Sequence, residues 1–390
     1  MTKKSITLIA LLTFAAHAVS AAESLSDESP AGLSLPLVKA ILDARQAAQE
    51  VAPLGFNELN NPCGASPVEA IQVHRDALWV GCNLGAGLWV SEDSGATFSR
   101  GHPSTDLFVF DLSSTQAGEL LMCGADFDLA FDGVLVRRFN GTTWEELLRR
   151  GDNAESSDQV NFSNCGQIAE HPNGGLFASS LTAPDITYSS NEGESWVPET
   201  RLFEEANLSG TRAVFQLIRV ASTSSGIFAS GYNIIQPPTF FAPSEAEGAS
   251  WFNLKAKTVD DTIQGEGWSL ATPDNGATWY VGGRDQELSR EASGFIYRSL
   301  DGGESWTSLP LGPEIDIVRD IAFSEDGRYG IAVGDRYPPR SLGGFALLTR
   351  DGGQSWEELD EDLPPDLRRA AVDGTTYFFG GNGSLFRGGF

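Results

Sequence analysis

The octet Ser299-Leu-Asp-Gly-Gly-Glu-Ser-Trp306 belongs to a set. Its form is a hydroxyl residue, any residue, Asp or Asn, any, Gly, any, a second hydroxyl residue and an aromatic. It recurs as Ser91-Glu-Asp-Ser-Gly-Ala-Thr-Phe98, Ser189-Ser-Asn-Glu-Gly-Glu-Ser-Trp196 and Thr349-Arg-Asp-Gly-Gly-Gln-Ser-Trp356. Two eroded copies, Arg137-Arg-Phe-Asn-Gly-Thr-Thr-Trp144 and Ser244-Glu-Ala-Glu-Gly-Ala-Ser-Trp251, fill the gaps. Starts at 91, 137, 189, 244, 299 and 349 give a period near fifty residues. That period is one four-stranded propeller blade per repeat.

The octet has the chemistry of a turn between strands. Asp93, Asn191, Asp301 and Asp351 can accept bonds from nearby backbone N–H groups. Gly95, Gly193, Gly303 and Gly353 supply a positive φ at little steric cost. A further match, Thr272-Pro-Asp-Asn-Gly-Ala-Thr-Trp279, starts only 27 residues before the next copy. It leads straight into a second-strand motif, and is read as a hairpin between the first two strands of a blade.

Seven second strands form their own register: Leu78-Trp-Val-Gly-Cys, Leu120-Leu-Met-Cys-Gly, Leu176-Phe-Ala-Ser-Ser, Ile227-Phe-Ala-Ser-Gly, Trp279-Tyr-Val-Gly-Gly, Ile331-Ala-Val-Gly-Asp and Tyr377-Phe-Phe-Gly-Gly. Seven such strands predict seven blades, and the small residues ending them suit a crowded approach to the axis. The last repeat lacks an octet and fourth strand. Phe56-Asn-Glu-Leu59 has the Trp-x-x-Leu form of the outer strands at Trp144, Trp251, Trp306 and Trp356. Residues 54–60 are therefore expected to complete the last blade and remove the open sheet edge.

These octets resemble the Asp-box, or BNR, repeat of sialidase-like propellers, within the broader class of WD40- and YVTN-like repeats. The resemblance covers residues from about 55 to the end and implies an all-β, single seven-bladed propeller over residues 54–390. Single rings of similar pattern include the photosystem II assembly factors, a likeness of repeat form alone.

The start of the chain reads as an address. Lys3 and Lys4, an apolar run from Ile6 to Val19 and small residues Ser20 to Ala22 match a secretory signal peptide over residues 1–22. The run is shorter than the ~20 apolar residues of a membrane span. Export to the periplasm or medium follows as the expectation. Residues 23–53 read as an acidic, Ser-rich leader followed by a short helix from Pro36 to Glu50, with an apolar face formed by Leu37, Val38, Ile41 and Leu42.

The chain carries 26 Lys+Arg against 53 Asp+Glu, a formal charge of −27. Nucleic acid and anionic membrane surfaces would both repel it. No integral membrane segment is expected, and oligomeric state is left open. The four cysteines, Cys63, Cys82, Cys123 and Cys165, allow three disulfide connectivities in an exported protein. Position favours Cys63–Cys82 and Cys123–Cys165. A metal site is the alternative, but the thiols lack partner ligands in sequence, so neither metal nor cofactor is expected.

Catalytic constellations are sparse. The sialidase resemblance would require three substrate-holding Arg, an Arg-Ile-Pro segment, a Tyr–Glu pair and an Asp acid/base. No Arg-Ile-Pro occurs. Arg212, Arg319 and Arg368 stand near the starts of inner strands and are candidates for the channel mouth, or simply for pairing with carboxylates. There is no Gly-x-Ser-x-Gly, His-Glu-x-x-His or phosphate loop. The insertion Gly231–Pro243 bears Tyr232, Ile234, Ile235, Phe240 and Phe241. It is read as a loop that either presents apolar contacts to a partner or packs back on the ring.

The expectation is a non-enzymatic protein-binding or assembly scaffold in the cell envelope, its partner another envelope protein. A glycan-active enzyme (hydrolase or lyase) or a lectin is the alternative. Converging Arg, Tyr and carboxylate groups at the mouth would favour the enzyme, and a smooth mouth with an apolar rim the scaffold.

Overall fold

The computed structural model describes residues 55–104, 106–126, 134–149, 165–180, 186–199, 216–232, 239–243, 254–260, 265–285, 294–312, 314–336, 343–359 and 362–390. The expected signal peptide, leader and helix lie outside these residues, as do Arg212, Ile234, Ile235 and the octet at Ser244. No described helix is long and apolar enough to cross a membrane.

The chain is an all-β propeller. Among the described residues, twenty-eight antiparallel strands succeed one another as short meanders. Each repeat runs from an inner strand outward; the first comprises Val68–His74, Ala77–Cys82, Gly87–Ser91 and Ser99–Arg100. The other inner strands are Leu107–Ser114, Cys165–Glu170, Gln216–Thr223, Gly265–Ala271, Ile315–Phe323 and Leu367–Asp373.

Hydrogen bonding gathers the strands into six sheets, which corrects the expected seven separate blades. Five sheets have four strands, and one has eight. The fourth and fifth repeats share that sheet because Tyr232, at the end of one second strand, pairs with Glu266 on the next inner strand.

Gly55–Glu58 pairs antiparallel with the final strand, Ser384–Gly389, from Gly55↔Gly389 to Glu58↔Phe386. Phe56 packs edge-on against Phe379 and Phe386, with centroids 5.6 and 5.2 Å apart. Phe378 and Leu385 of this sheet share a core with Val68, Ile71, Leu78 and Val80 of the first repeat. The two ends of the chain thus meet in one packed layer, and neither the first nor the last repeat is left with a bare apolar face.

The octets fold alike. Ser91 Oγ donates to Asp93 Oδ1 at 2.7 Å and accepts from Gly95 N at 2.7 Å, while Asp93 accepts from Thr97 N and Oγ1. Asn191, Asp301 and Asp351 occupy the same place in their turns. The bonds from Thr97, side chain first, hold the Asp93 carboxyl down at about 2. The segment at Thr272 closes the hairpin between Gly265–Ala271 and Trp279–Asp285, as read from its spacing, yet it adopts the same geometry: Gly276 N donates to Thr272 Oγ1 and Thr278 N to Asp274 Oδ1. Local chemistry dictates this turn wherever two strands need one.

The cysteines pair as Cys63–Cys82 and Cys123–Cys165, with Cα–Cα separations of 5.5 and 5.4 Å. The first ties the lead-in segment to the first repeat, and the second ties the second repeat to the third.

Candidate functional site at the axial mouth

Every inner strand carries a β-bulge near its start. The register slips at Val68/Ala70, Val109/Asp111, Cys165/Gln167, Leu217/Arg219, Gly267/Ser269, Val318/Asp320 and Leu367/Arg369. A bulge adds a residue and re-aims its neighbours. The residues after the bulges are Ala70, Asp111, Gln167, Arg219, Ser269, Asp320 and Arg369. Their partners on the second strands are mostly small: Gly81, Cys123, Ser179, Ser230, Gly282, Val333 and Gly380.

Four of these seven residues are charged, and they meet. Arg219 Nε donates to Asp320 Oδ1 at 3.3 Å, joining the fourth inner strand to the sixth. Asp320 Oδ2 accepts from Ala370 N of the seventh at 3.0 Å. Asp111 of the second inner strand repeats that relation with the third, accepting from Ile168 N at 3.0 Å. The Asp111 carboxyl is pushed up to about 6, chiefly by burial, with Arg219 and Arg369 pulling it down and Asp320 adding to the rise. Arg369 is brought down to about 10 by burial and by Arg219, against the pull of Glu69, Asp320 and Asp111. Influence among side chains from four different inner strands places them together at the axis.

One layer nearer the strand starts, the bulge residues form a second, more open lattice. Arg368 grips Asp366 bidentately, with Nε–Oδ1 at 3.0 Å and Nη2–Oδ2 at 2.8 Å, and Nη1 reaches Glu69 Oε1. Arg319 Nε donates to Asp335 Oδ2 at 2.9 Å, and Nη2 lies 3.7 Å from Asp366 Oδ1. Asp335 in turn accepts from Asp366 N. Arg319 stands over the Trp268 ring, 5.6 Å from its centroid, and Trp268 Nε1 donates to the buried Glu266, which also holds Arg284. Asp316 joins this layer with its carboxyl raised, by burial first and Asp335 after, against Arg284 and Arg319.

Arg319 and Arg368, near the starts of their inner strands, are both paired with carboxylates. Glu69, Asp111, Arg219, Glu266, Trp268, Arg284, Asp320, Asp335, Asp366 and Arg369 complete the constellation and were not foreseen. The small residues ending the second strands were the available signal, because each axial residue but Asp320, which faces Val333, sits opposite one of them.

The insertion is corrected. Thr239–Pro243 is a strand paired on both sides, not a loop, and Phe240 is fully buried against Phe228, Trp279 and Trp306. Tyr232 ends the preceding strand, and Phe241 lies one position beyond Phe240 on the new one. A run of apolar residues beside Pro-Pro gave a loop signal that burial in the sheet overrides.

Chemically, the mouth offers guanidinium groups fixed by carboxylates behind them and only partly covered: the side chains of Arg284, Arg319 and Arg368 retain 38, 24 and 28 % exposure. Their remaining N–H groups are pre-oriented donors for carbonyl or carboxylate oxygens. Trp268 adds a flat apolar surface.

No protein-family model matches the chain, and no curated protein matches it. Solved structures do. YCF48 from Cyanidioschyzon merolae is 15% identical at TM-score 0.58, covering 85% of this chain and 98% of that one. YCF48 bound to D1 peptide is 15% identical at TM-score 0.54, covering 87% and 97%. A catalytically inactive virginiamycin B lyase from Staphylococcus aureus with quinupristin is 12% identical at TM-score 0.57, covering 86% and 99%. At such identities the likeness is one of fold: the chain is a β-propeller of the kind these proteins share.

Proposed function

We propose that the chain is an exported, non-enzymatic propeller that binds a polypeptide segment at its axial mouth and serves as an assembly scaffold in the cell envelope. The observation carrying this reading is the Arg319–Asp335–Asp366–Arg368–Glu69 lattice. Its guanidinium groups are committed to carboxylates on one side and offer donors on the other. Such pre-paid geometry suits backbone carbonyls and a terminal carboxylate, which need directed donors and little rearrangement. Trp268 beside it would take an apolar side chain.

Two disulfides support an oxidising compartment, in keeping with the signal peptide read from residues 1–22. YCF48, a propeller of similar fold, is solved with a peptide bound, which makes peptide binding a natural use of this architecture.

The test places a photo-crosslinking residue at the mouth in cells of the source organism, as Trp268→benzoylphenylalanine, with Ser308→benzoylphenylalanine on an exposed outer strand as control. A defined protein adduct from position 268 and none from 308 is expected. The reading fails if position 268 gives no protein adduct while the purified chain binds or cleaves glycans on a panel.

A further inference from the structure

A cavity of about 540 Å³ opens between the first and second repeats, at the end of the first inner strand opposite to its bulge at Val68/Ala70. It is lined by the hairpin turn at His74–Ala77, the segment Arg100–Pro103 after the first octet, and the turn Gly141–Trp144. Trp79, Phe139 and Trp144 form an aromatic wall, with Trp79 and Trp144 edge-to-face at 6.1 Å and Phe139 5.4 Å from Trp79.

The polar groups around this cavity are unbalanced. Trp79 is 5% exposed, and its Nε1–H has no acceptor among the described residues. Arg137, whose Nη1 contacts the cavity residue His102, likewise has a buried Nε without an acceptor. His74 is 6% exposed; its Nδ1 meets Ser114 Oγ at 2.9 Å, while Nε2 forms no hydrogen bond of ordinary geometry. Arg75 forms neither an ion pair nor a donated hydrogen bond among the described residues. A buried donor without an acceptor costs ~1–3 kcal/mol, so the sealed donors on Trp79 and Arg137 are one unusual feature of this region.

Arg75 supplies a second one. Arg75 and Asp76 close their hairpin with φ of 51° and 63°. This two-residue turn needs left-handed backbone at both positions, where Asn-Gly would sit more easily. From that position the guanidinium spans to the second repeat: a Cβ built on Gly141 would lie 2.5 Å from Nη1, and one built on Gly118 3.7 Å from Nη2. The opening therefore carries an exposed guanidinium that forms no ion pair among the described residues, on a chain of net charge −27. Arg100 at the rim is partly committed, stacking on Trp89 at 4.1 Å and donating to Ala86 O. Glu92, also at the rim, is exposed and sets a limit on how much anionic charge the site tolerates.

We infer that this cavity is a binding site for a small planar organic anion, an aromatic ring bearing one carboxylate. The ring would lie against Phe139 and Trp144 beside Trp79, and the carboxylate would accept from Arg75. Ring stacking supplies area and the charge-assisted bonds supply orientation. The site is independent of the axial mouth and of the reading given to it.

Titration calorimetry on the mature chain tests the assignment, with indole-3-acetate and 4-hydroxybenzoate as probes and indole-3-acetamide and inorganic phosphate as controls. Saturable one-site binding of at least one aromatic carboxylate is expected, about ten-fold tighter than the amide or phosphate. Arg75→Ala should weaken it by a similar factor. Arg387→Ala, on the last strand, should leave it unchanged, and thermal melts confirm that each variant is folded. The assignment is overturned if neither carboxylate binds at millimolar concentration, if phosphate or the amide binds equally well, or if folded Arg75→Ala binds like the parent.

Discussion

Arg219 and Asp320 form an ion pair that skips a repeat, linking the fourth inner strand to the sixth past Ser269 of the fifth. Both side chains are largely buried, at 9% and 12% exposure. Asp320 also accepts from Ala370 N, so one carboxylate ties three inner strands. A buried pair gives little net stability over an apolar substitute, yet removing one member leaves an uncompensated charge. Asp320→Ala would take one carboxylate from the Arg219 guanidinium and leave the Ala370 N–H without this acceptor. A loss of ~3–5 kcal/mol is expected, read as a lower urea midpoint at unchanged slope. Asp320→Asn, which keeps acceptor oxygen for one of the two donors, should lose less. Equal losses from both variants would refute the two-donor account.

Asp111 makes a prediction with a sign. Its carboxyl titrates at about 6 in the folded chain against 3.8 when unconstrained. Between those values the folded state holds a proton that the unfolded state has lost. Stability therefore falls as pH rises through this window, and the ionised form above it is the costly one. Asp111→Asn removes the titration while its amide oxygen can still accept from Ile168 N. The variant should gain on the parent as pH rises from about 4 to about 7.5, with the change centred between the two pKa values. A melting-temperature difference that stays constant over that range would show that Asp111 does not titrate there.

The turns and the axis were unequally legible in the sequence. The octets announce themselves because the hydrogen bonds that shape the turn are local: Asp301, Gly303 and Ser305 lie within one turn of each other. The pairing of Phe56-x-x-Leu59 with the chain end was readable because the outer strand repeats its own pattern. The bulges were not. A bulge is a misfit between two strands, and Glu69 or Arg319 looks like any solvent-facing charge until the register slips. Phe240 failed in the opposite direction: Pro237-Pro238 masks a strand whose burial depends on Trp279 and Trp306 of the neighbouring repeat. Blade count was lost to a single bridge, Tyr232↔Glu266, which no periodicity encodes.

The two disulfides should differ in weight. Cys63–Cys82 closes a 19-residue separation and Cys123–Cys165 one of 42. Loop-closure entropy then gives ~3 and ~4 kcal/mol respectively. The second also joins separate repeats, so its loss frees the junction between them. The Cys123→Ser/Cys165→Ser chain should melt lower than the Cys63→Ser/Cys82→Ser chain, and reductant should lower the parent below either. The reverse order would point to strain in the longer link.

Closure of the ring is tested by a contact that the octet glycines repeat. A methyl group on Gly95, at φ +93°, would come within 2.5 Å of Leu59 Cδ1; on Gly193, at φ +95°, it would come within 3.0–3.2 Å of Leu147. Leu59 follows Phe56 as Leu147 follows Trp144, so the N-terminal segment plays the part of an outer strand for the first repeat. Gly95→Ala should cost ~1–3 kcal/mol through backbone strain and overpacking together. Leu59→Ala should cost less, because Leu59 is only half-buried. In the double variant the overpacking has no partner, leaving only the strain. Its loss should fall short of the sum of the single losses by ~0.5 kcal/mol or more. Strict additivity in urea unfolding would mean that Leu59 does not rest on Gly95. Removing residues 23–60 entirely should lower the melting temperature, because it also takes away the strand Gly55–Glu58, and an unchanged value would refute closure.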